Sequence, residues 1–144
     1  MHKVQRSVLV PYSRAQMFDL VADVAKYPEF MPWCGGAQVL RQDEHGMEAS
    51  ITISIAGVRQ TFSTRNEHDY PRLITFNLVN GPFSQLTGTW EFHELAQDAC
   101  KVGYTMEYAF SSRTLEAVVG PIFNRIATSF IDSFTQRAQA LYGD

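Results

Sequence analysis

The stretch Ser112–Tyr142, SRTLEAVVGPIFNRIATSFIDSFTQRAQALY, decides the fold. Leu115, Val118, Val119, Ile122, Phe123, Ile126, Phe130, Ile131, Phe134, Ala138 and Leu141 recur at i, i+3, i+4 and i+7, so one face of a helix is apolar along its whole length. Ser111-Ser112 supplies its N-cap. A helix of about thirty residues is about 45 Å long and can cross an entire sheet. Pro121 removes the backbone bond to Ala117, which predicts either a kink or a second helix starting at Pro121. An apolar face of this length needs a broad apolar surface to lie on.

That surface is written in the residues before it. Met47, Ala49, Ile51, Ile53 and Ile55 alternate with polar residues, the period of a strand with one buried face. Val58–Arg65 carries Phe62, and Ile74, Phe76 and Leu78 alternate after the break at Tyr70-Pro71-Arg72. Leu86, Gly88, Trp90 and Phe92 share one parity, as do Val102, Tyr104, Met106, Tyr108 and Phe110. Turn residues at Ala56-Gly57, Asn80-Gly81-Pro82 and Ala96-Gln97-Asp98 separate these runs as hairpins do. Upstream, Lys3–Val10 reads as a strand and Pro11 ends it. Ser13 and Gln16 form a capping box opening a helix over Ser13–Val24. Gln38–Arg41 starts a further strand, and Asp43-Glu44-His45-Gly46 and Gly35-Gly36 read as turns.

The order is strand, helix, strands, long helix, which is an α+β pattern. A curved antiparallel sheet of about six or seven strands wrapped around the C-terminal helix satisfies every apolar stripe. The 144 residues fit one domain, 1–144. Gly88, on the inward parity, removes side-chain volume, and a curved sheet under a long helix leaves a gap that can serve as a pocket. The net charge of −3, from 12 Lys+Arg against 15 Asp+Glu, argues against a dedicated DNA-binding surface. Two cysteines, Cys34 and Cys100, read as reduced, half-buried thiols rather than a disulfide framework. The sequence contains neither a signal-like opening nor an apolar run of about 20 residues, so a cytoplasmic protein is expected.

Three stretches carry a resemblance. They are Met17–Val24 running into Tyr27-Pro28-Glu29-Phe30 and Pro32-Trp33-Cys34; Asn80-Gly81-Pro82-Phe83 with Leu86, Gly88, Trp90 and Phe92; and Gly120-Pro121-Ile122-Phe123. In this order the chain resembles the helix-grip fold of START-like lipid-transfer domains. Within them it is similar to the branch of coenzyme Q-binding proteins and bacterial ribosome association toxins, also grouped as polyketide cyclase/dehydrase proteins. The resemblance implies a hydrophobic pocket for a polyprenyl quinone or similar lipid, bound as ligand with no cofactor required. It also implies a role as carrier or chaperone supporting respiration. A quinone head is flat and weakly polar, needing apolar walls and a few donors. The expected pocket residues are Phe30, Trp33, Ile53, Phe62, Phe76, Trp90, Tyr104, Tyr108, Val119, Phe123, Ile126 and Phe130. Tyr104, Tyr108, Trp90 and Gln60 are the candidate donors.

Two further readings stay open. The toxin name implies contact with a ribosomal subunit, for which Lys3, Arg6, Arg14, Lys26 and Arg41 would have to gather in space. A small cyclase or dehydratase would need an acid or base inside the pocket, and the sequence offers no such constellation. His2, His45, His68 and His93 lack metal-ligand spacing, and each is expected in solvent, His68 in a turn. Glu48, Glu107, Arg59 and Arg65 fall on outward parities. Tyr27–Trp33 reads either as a lid that dips transiently into the inner-membrane surface or as a small satellite core under the loop.

Overall fold

A computed structural model describes residues 2–143. Seven antiparallel strands form one sheet: β1 (His2–Val10), β2 (Cys34–Asp43), β3 (Gly46–Ile55), β4 (Val58–Asp69), β5 (Leu73–Asn80), β6 (Phe83–Ala96) and β7 (Ala99–Phe110). Their order is β1-β7-β6-β5-β4-β3-β2, a meander closed at one edge by the first strand. Helix α1 (Arg14–Ala22) and a 3₁₀ helix (Val24–Glu29) carry the chain from the β1 edge to the β2 edge. Helix α2 (Arg113–Tyr142) returns across the sheet as one continuous helix with Pro121 inside it. The α+β helix-grip expectation therefore holds, with seven strands, and the two-helix alternative at Pro121 does not.

Local chemistry explains the joints. The Ser13 side chain accepts from the Gln16 N–H while the Gln16 side chain accepts from the Ser13 N–H, the reciprocal cap read from sequence. Ser112 caps α2 by accepting from the Leu115 N–H. Ala56 and Gly57 both have positive φ, 53° and 78°, and join β3 to β4 in a two-residue hairpin.

Two glycine expectations change. Gly35 and Gly36 lie inside β2, at an irregularity of register, rather than in a turn. A Cβ on Gly35 would sit 2.8 Å from the Ser54 Cβ, so the bare backbone lets β2 pass its neighbour. Gly88 does not leave empty volume. It pairs with Phe76 across β5 and β6, and a Cβ there would lie 2.3 Å from the Phe76 ring and 2.4 Å from the Thr105 carbonyl oxygen. The glycine is the seat of that ring.

The apolar core lies between the sheet and the two helices and contains Phe18, Tyr27, Trp33, Phe92, Tyr104, Tyr108, Phe123 and Phe134. Two aromatic groups dominate it. Phe62, Phe83, Tyr108 and Phe123 pack at one end, with ring centroids 4.8–6.3 Å apart. Trp90 stacks on Tyr104 at 4.4 Å and meets Phe134 edge-on at 5.2 Å in the other. Replacing Gly88 with Ala should cost roughly 1–3 kcal/mol by overpacking. A fall in the urea midpoint at unchanged m-value is expected; an unchanged midpoint would show that Phe76 moves away freely.

Candidate functional site

The backbone of α2 comes closest to the sheet at β1 and β7. Over β3, β4 and β5 the space is filled by side chains, and a cavity of about 70 Å³ remains there. Ala49, Ile51, Ile74, Phe76, Leu86, Trp90 and Met106 form its sheet side. Val21, Ala22, Val24 and Tyr27 close one end, and Phe123, Phe130 and Phe134 of α2 roof it. β4 contributes most: Phe62, Thr64, Asn66 and His68, alternate residues on one face. The cavity thus lies between the two aromatic groups and beside a short polar row.

That row is ordered. The Thr64 hydroxyl donates to the Asn66 side-chain oxygen at 2.7 Å. The His68 backbone N–H donates to the His45 carbonyl at 2.7 Å, extending the strand pairing past its end. Gly46 permits this register, because a Cβ there would strike the Asn66 carbonyl oxygen at 1.9 Å. Phe18 meets the His68 ring edge-on at 5.4 Å. The imidazole Nε2 is buried without a hydrogen-bond partner. Burial, reinforced by nearby Arg65 and opposed by Glu67 and Asp43, holds its pKa below the ordinary 6.5. His68 is therefore not the solvent-facing turn residue that the sequence suggested: β4 runs on to Asp69 and turns it inward.

Of the twelve expected pocket residues, Phe62, Phe76, Trp90, Phe123 and Phe130 line the cavity. Ile53, Val119 and Ile126 are buried elsewhere in the core. Tyr104 lies behind Trp90, and its hydroxyl lies 3.8 Å from the Met106 sulfur. The Tyr108 hydroxyl donates to the Asn124 side-chain oxygen at 3.1 Å. These two tyrosines and Gln60 are not among the lining residues. Trp90, the fourth candidate donor, does line it, as does Tyr27, and the other polar side chains come from Thr64, Asn66 and His68, which share Phe62's parity. Following that parity past Phe62 would have found them.

The segment after the 3₁₀ helix folds down onto α2. Met31 and Trp33 are buried, and Phe30 is half-buried. Trp33 lies 5.5 Å from Phe130, and Tyr27 and Phe30 both pack on Phe134. The Tyr27 hydroxyl donates to the Val21 carbonyl. This is the satellite-core reading; Met31 and Trp33 do not project outward. Arg137 ties the segment from above, 3.0 Å from Glu29 and 5.0 Å over the Phe30 ring. That guanidinium holds the Glu29 carboxyl below its ordinary range, with Lys26 assisting.

The cavity is well below the volume of about 300–1,000 Å³ usual for ligand sites. Accepting a ligand requires side chains to move; Phe130 of the α2 roof is half-buried, whereas Phe76, also half-buried, is seated against Gly88. Burial pushes both thiols up, Cys100 to about 11, so neither is a thiolate nucleophile at neutral pH. The cysteines are unpaired and buried rather than half-buried. The basic residues are spread over separate elements: Lys3 and Arg6 lie on β1, Arg14 opens α1, Lys26 pairs with Glu29, and Arg41 lies on β2 at the opposite end of the sheet order from β1. Among the described residues no helix is long and apolar enough to cross a membrane.

This geometry can be set beside known proteins. The sequence pattern described as polyketide cyclase/dehydrase and lipid transport matches residues 10–135. The chain belongs to this family. A Vibrio cholerae protein named ribosome association toxin RatA is 46% identical over 144 residues, the full length of both chains. The mitochondrial coenzyme Q-binding protein coq10 of Schizosaccharomyces pombe is 23% identical, covering 92% of this chain and 84% of its own. The solution structure of an 18 kDa Caulobacter crescentus protein is 33% identical over all of both chains, with a TM-score of 0.76. A START superfamily protein from Mycobacterium smegmatis has a TM-score of 0.78 at 17% identity, covering 98% of this chain and 99% of its own. That last likeness concerns the fold, which is START-like.

Two measurements probe the site. Because burial depresses the His68 pKa, the unfolded chain takes up that proton first as pH falls. The stability His68 contributes should be complete above about pH 6.5 and decline as pH drops below it. His68→Gln should flatten this part of the Tm–pH curve; an unaltered curve would contradict the burial argument. Arg137→Met should let the Glu29 pKa rise, as read by carboxyl NMR titration. It should also speed amide exchange across residues 24–31 by roughly two- to fivefold.

Proposed function

We propose that this chain is a non-enzymatic binder of a hydrophobic small molecule, with a polyprenyl quinone as the leading ligand. In this reading it is a cytoplasmic carrier or chaperone supporting respiration, meeting the inner-membrane surface transiently to exchange its cargo. The observation that carries the reading is the aromatic-walled cavity between α2 and strands β3–β5. Its lining suits a flat, weakly polar head: Phe76, Trp90 and Phe130 offer ring faces, and one short row offers hydrogen bonds. Each tail methylene buried along apolar walls adds about 0.8 kcal/mol, which offsets the cost of displacing rings from a small cavity. The titratable lining groups are His68 and Tyr27, and burial favours the neutral form of both, which fits binding better than acid–base turnover. The name of the yeast relative and the lipid-transport description of the family support the same reading.

A second reading, association with a ribosomal subunit, is favoured by the name of the Vibrio cholerae relative, which aligns over the whole chain. It would use an outer surface rather than the cavity. The net charge and the spread of basic residues favour contact with ribosomal protein, or a small RNA footprint, over a broad phosphate-binding face.

Organic extraction of the purified protein from quinone-making cells, followed by mass spectrometry, tests the first reading. A near-stoichiometric polyprenyl quinone is expected. Ala22→Phe, which places a ring at a half-buried wall position, should lower the recovered quinone by roughly tenfold without unfolding the protein. Lipid recovery at control-protein levels, with no binding of added quinone, would overturn the carrier reading. Salt-sensitive co-sedimentation with a ribosomal subunit, undisturbed by Ala22→Phe, would then establish the second.

A further inference from the structure

We propose that the Thr64–Asn66–His68 row of β4 is a head-group recognition site that selects an uncharged, oxygen-bearing ligand end. This rests on the hydrophobic-ligand reading and adds to it which end of the ligand is buried where, and with what chemistry. Three observations carry it. First, the described residues lining the cavity include no Asp, Glu, Lys or Arg, so a phosphate or carboxylate head would be buried there without a counter-charge. Second, three of the five lining residues with polar side-chain atoms, Thr64, Asn66 and His68, are on β4; the others are Tyr27, whose hydroxyl donates to the Val21 carbonyl, and Trp90. The Asn66 side-chain oxygen already accepts from Thr64, which leaves its NH₂ group to donate. Third, His68 Nε2 is buried and unpartnered. The other such nitrogens among the described residues, on Trp33 and Arg137, do not line the cavity.

A neutral imidazole offers one N–H and one lone pair. With the proton on Nε2, His68 and the Asn66 amide present donors two residues apart along one strand face, about 7 Å between backbones. Carbonyl oxygens accept from such donors; a hydrocarbon leaves them unsatisfied, and an anion lacks compensation. The apolar walls from Phe130 and Phe134 on α2 then receive the chain that follows the head. The row is held from outside the cavity. Gly46 lets the Asn66 carbonyl approach β3, and Phe18 braces the His68 ring. Recognition therefore depends on strand register rather than on a loop.

The test titrates the full chain with three probes sharing one ten-carbon tail: a benzoquinone, an unsubstituted benzene and a phosphate. The quinone should bind at least roughly tenfold more tightly than either other probe. Asn66→Leu and His68→Phe should each weaken quinone binding by roughly five- to fiftyfold and leave benzene binding within about twofold. His68→Gln, which keeps a donor near the Nε2 position, should recover most of the quinone affinity. Infrared spectra give an independent readout: the bound quinone carbonyl stretch should lie lower in the unsubstituted protein than in His68→Phe. Melting curves exclude loss by unfolding. Equal weakening of quinone and benzene by both variants, or phosphate binding as tight as quinone, would overturn head-group recognition while leaving a hydrophobic pocket standing. Failure of all three probes to bind the unsubstituted protein would overturn the hydrophobic-ligand reading and this assignment together.

Discussion

Seven strands, spaced about 4.8 Å apart, make a sheet roughly 29 Å wide, and one helix with its side chains covers about 10–12 Å of that width. Among the described residues a single long helix is available to cover its inner face. Everything inside follows from that mismatch. α2 settles against β1 and β7, where its backbone comes close. The uncovered strands must then be roofed by α1, by the 3₁₀ segment and by rings long enough to reach across. Phe62, Phe76, Trp90, Phe123, Phe130 and Phe134 do this, and the space they fail to fill is the cavity. Its place is set by layer geometry rather than by any one residue.

The same constraint explains why small residues matter where they do. With large rings reaching across the gap, the sheet must yield volume directly beneath some of them. Gly88 yields it to Phe76, and the Thr105 carbonyl behind leaves no alternative seat. Arg137 works from the other side. It ties Glu29 and Phe30 to α2, and the segment is held there as well by the Tyr27 and Phe30 rings packed on Phe134 and by the buried Met31 and Trp33. Opening this segment would expose those apolar side chains as well as break the ion pair.

Much of the fold was legible because period-two and period-3.6 runs are long in this chain and separated by Gly and Pro. Inside the site, legibility tracked size. Phe62, Phe76, Trp90, Phe123 and Phe130 stood out as aromatics on inward parities, and the cavity touches all five. Tyr104 and Tyr108 had equal claims by parity, yet Trp90 and Phe123 stand in front of them or beside them. Parity gives the face of a residue, not its depth behind a neighbour. The polar row escaped for the opposite reason. Asn66 and His68 break the apolar alternation of β4, so the sequence reads as a strand ending at Arg65. The two glycines of β2 likewise resembled a turn, because a strand that needs close approach and a loop that needs flexibility both use glycine.

Polar residues on an inward face also bear on what the cavity is for. A buried, unsatisfied donor or acceptor costs about 1–3 kcal/mol, whereas an apolar side chain of similar shape at the same place is close to neutral. Thr64 donates to the Asn66 oxygen, which recovers that part of their cost. His68 does not recover its own: its Nε2 is out of water, has no partner, and sits where Leu or Phe would pack against Phe18 at no such penalty. Stability alone would not favour this residue here. A ligand oxygen that meets the nitrogen only when the cavity is occupied would return the lost hydrogen bond at that moment. Occupied and empty states would then differ by more than tail burial, and the head would supply selectivity that apolar walls cannot.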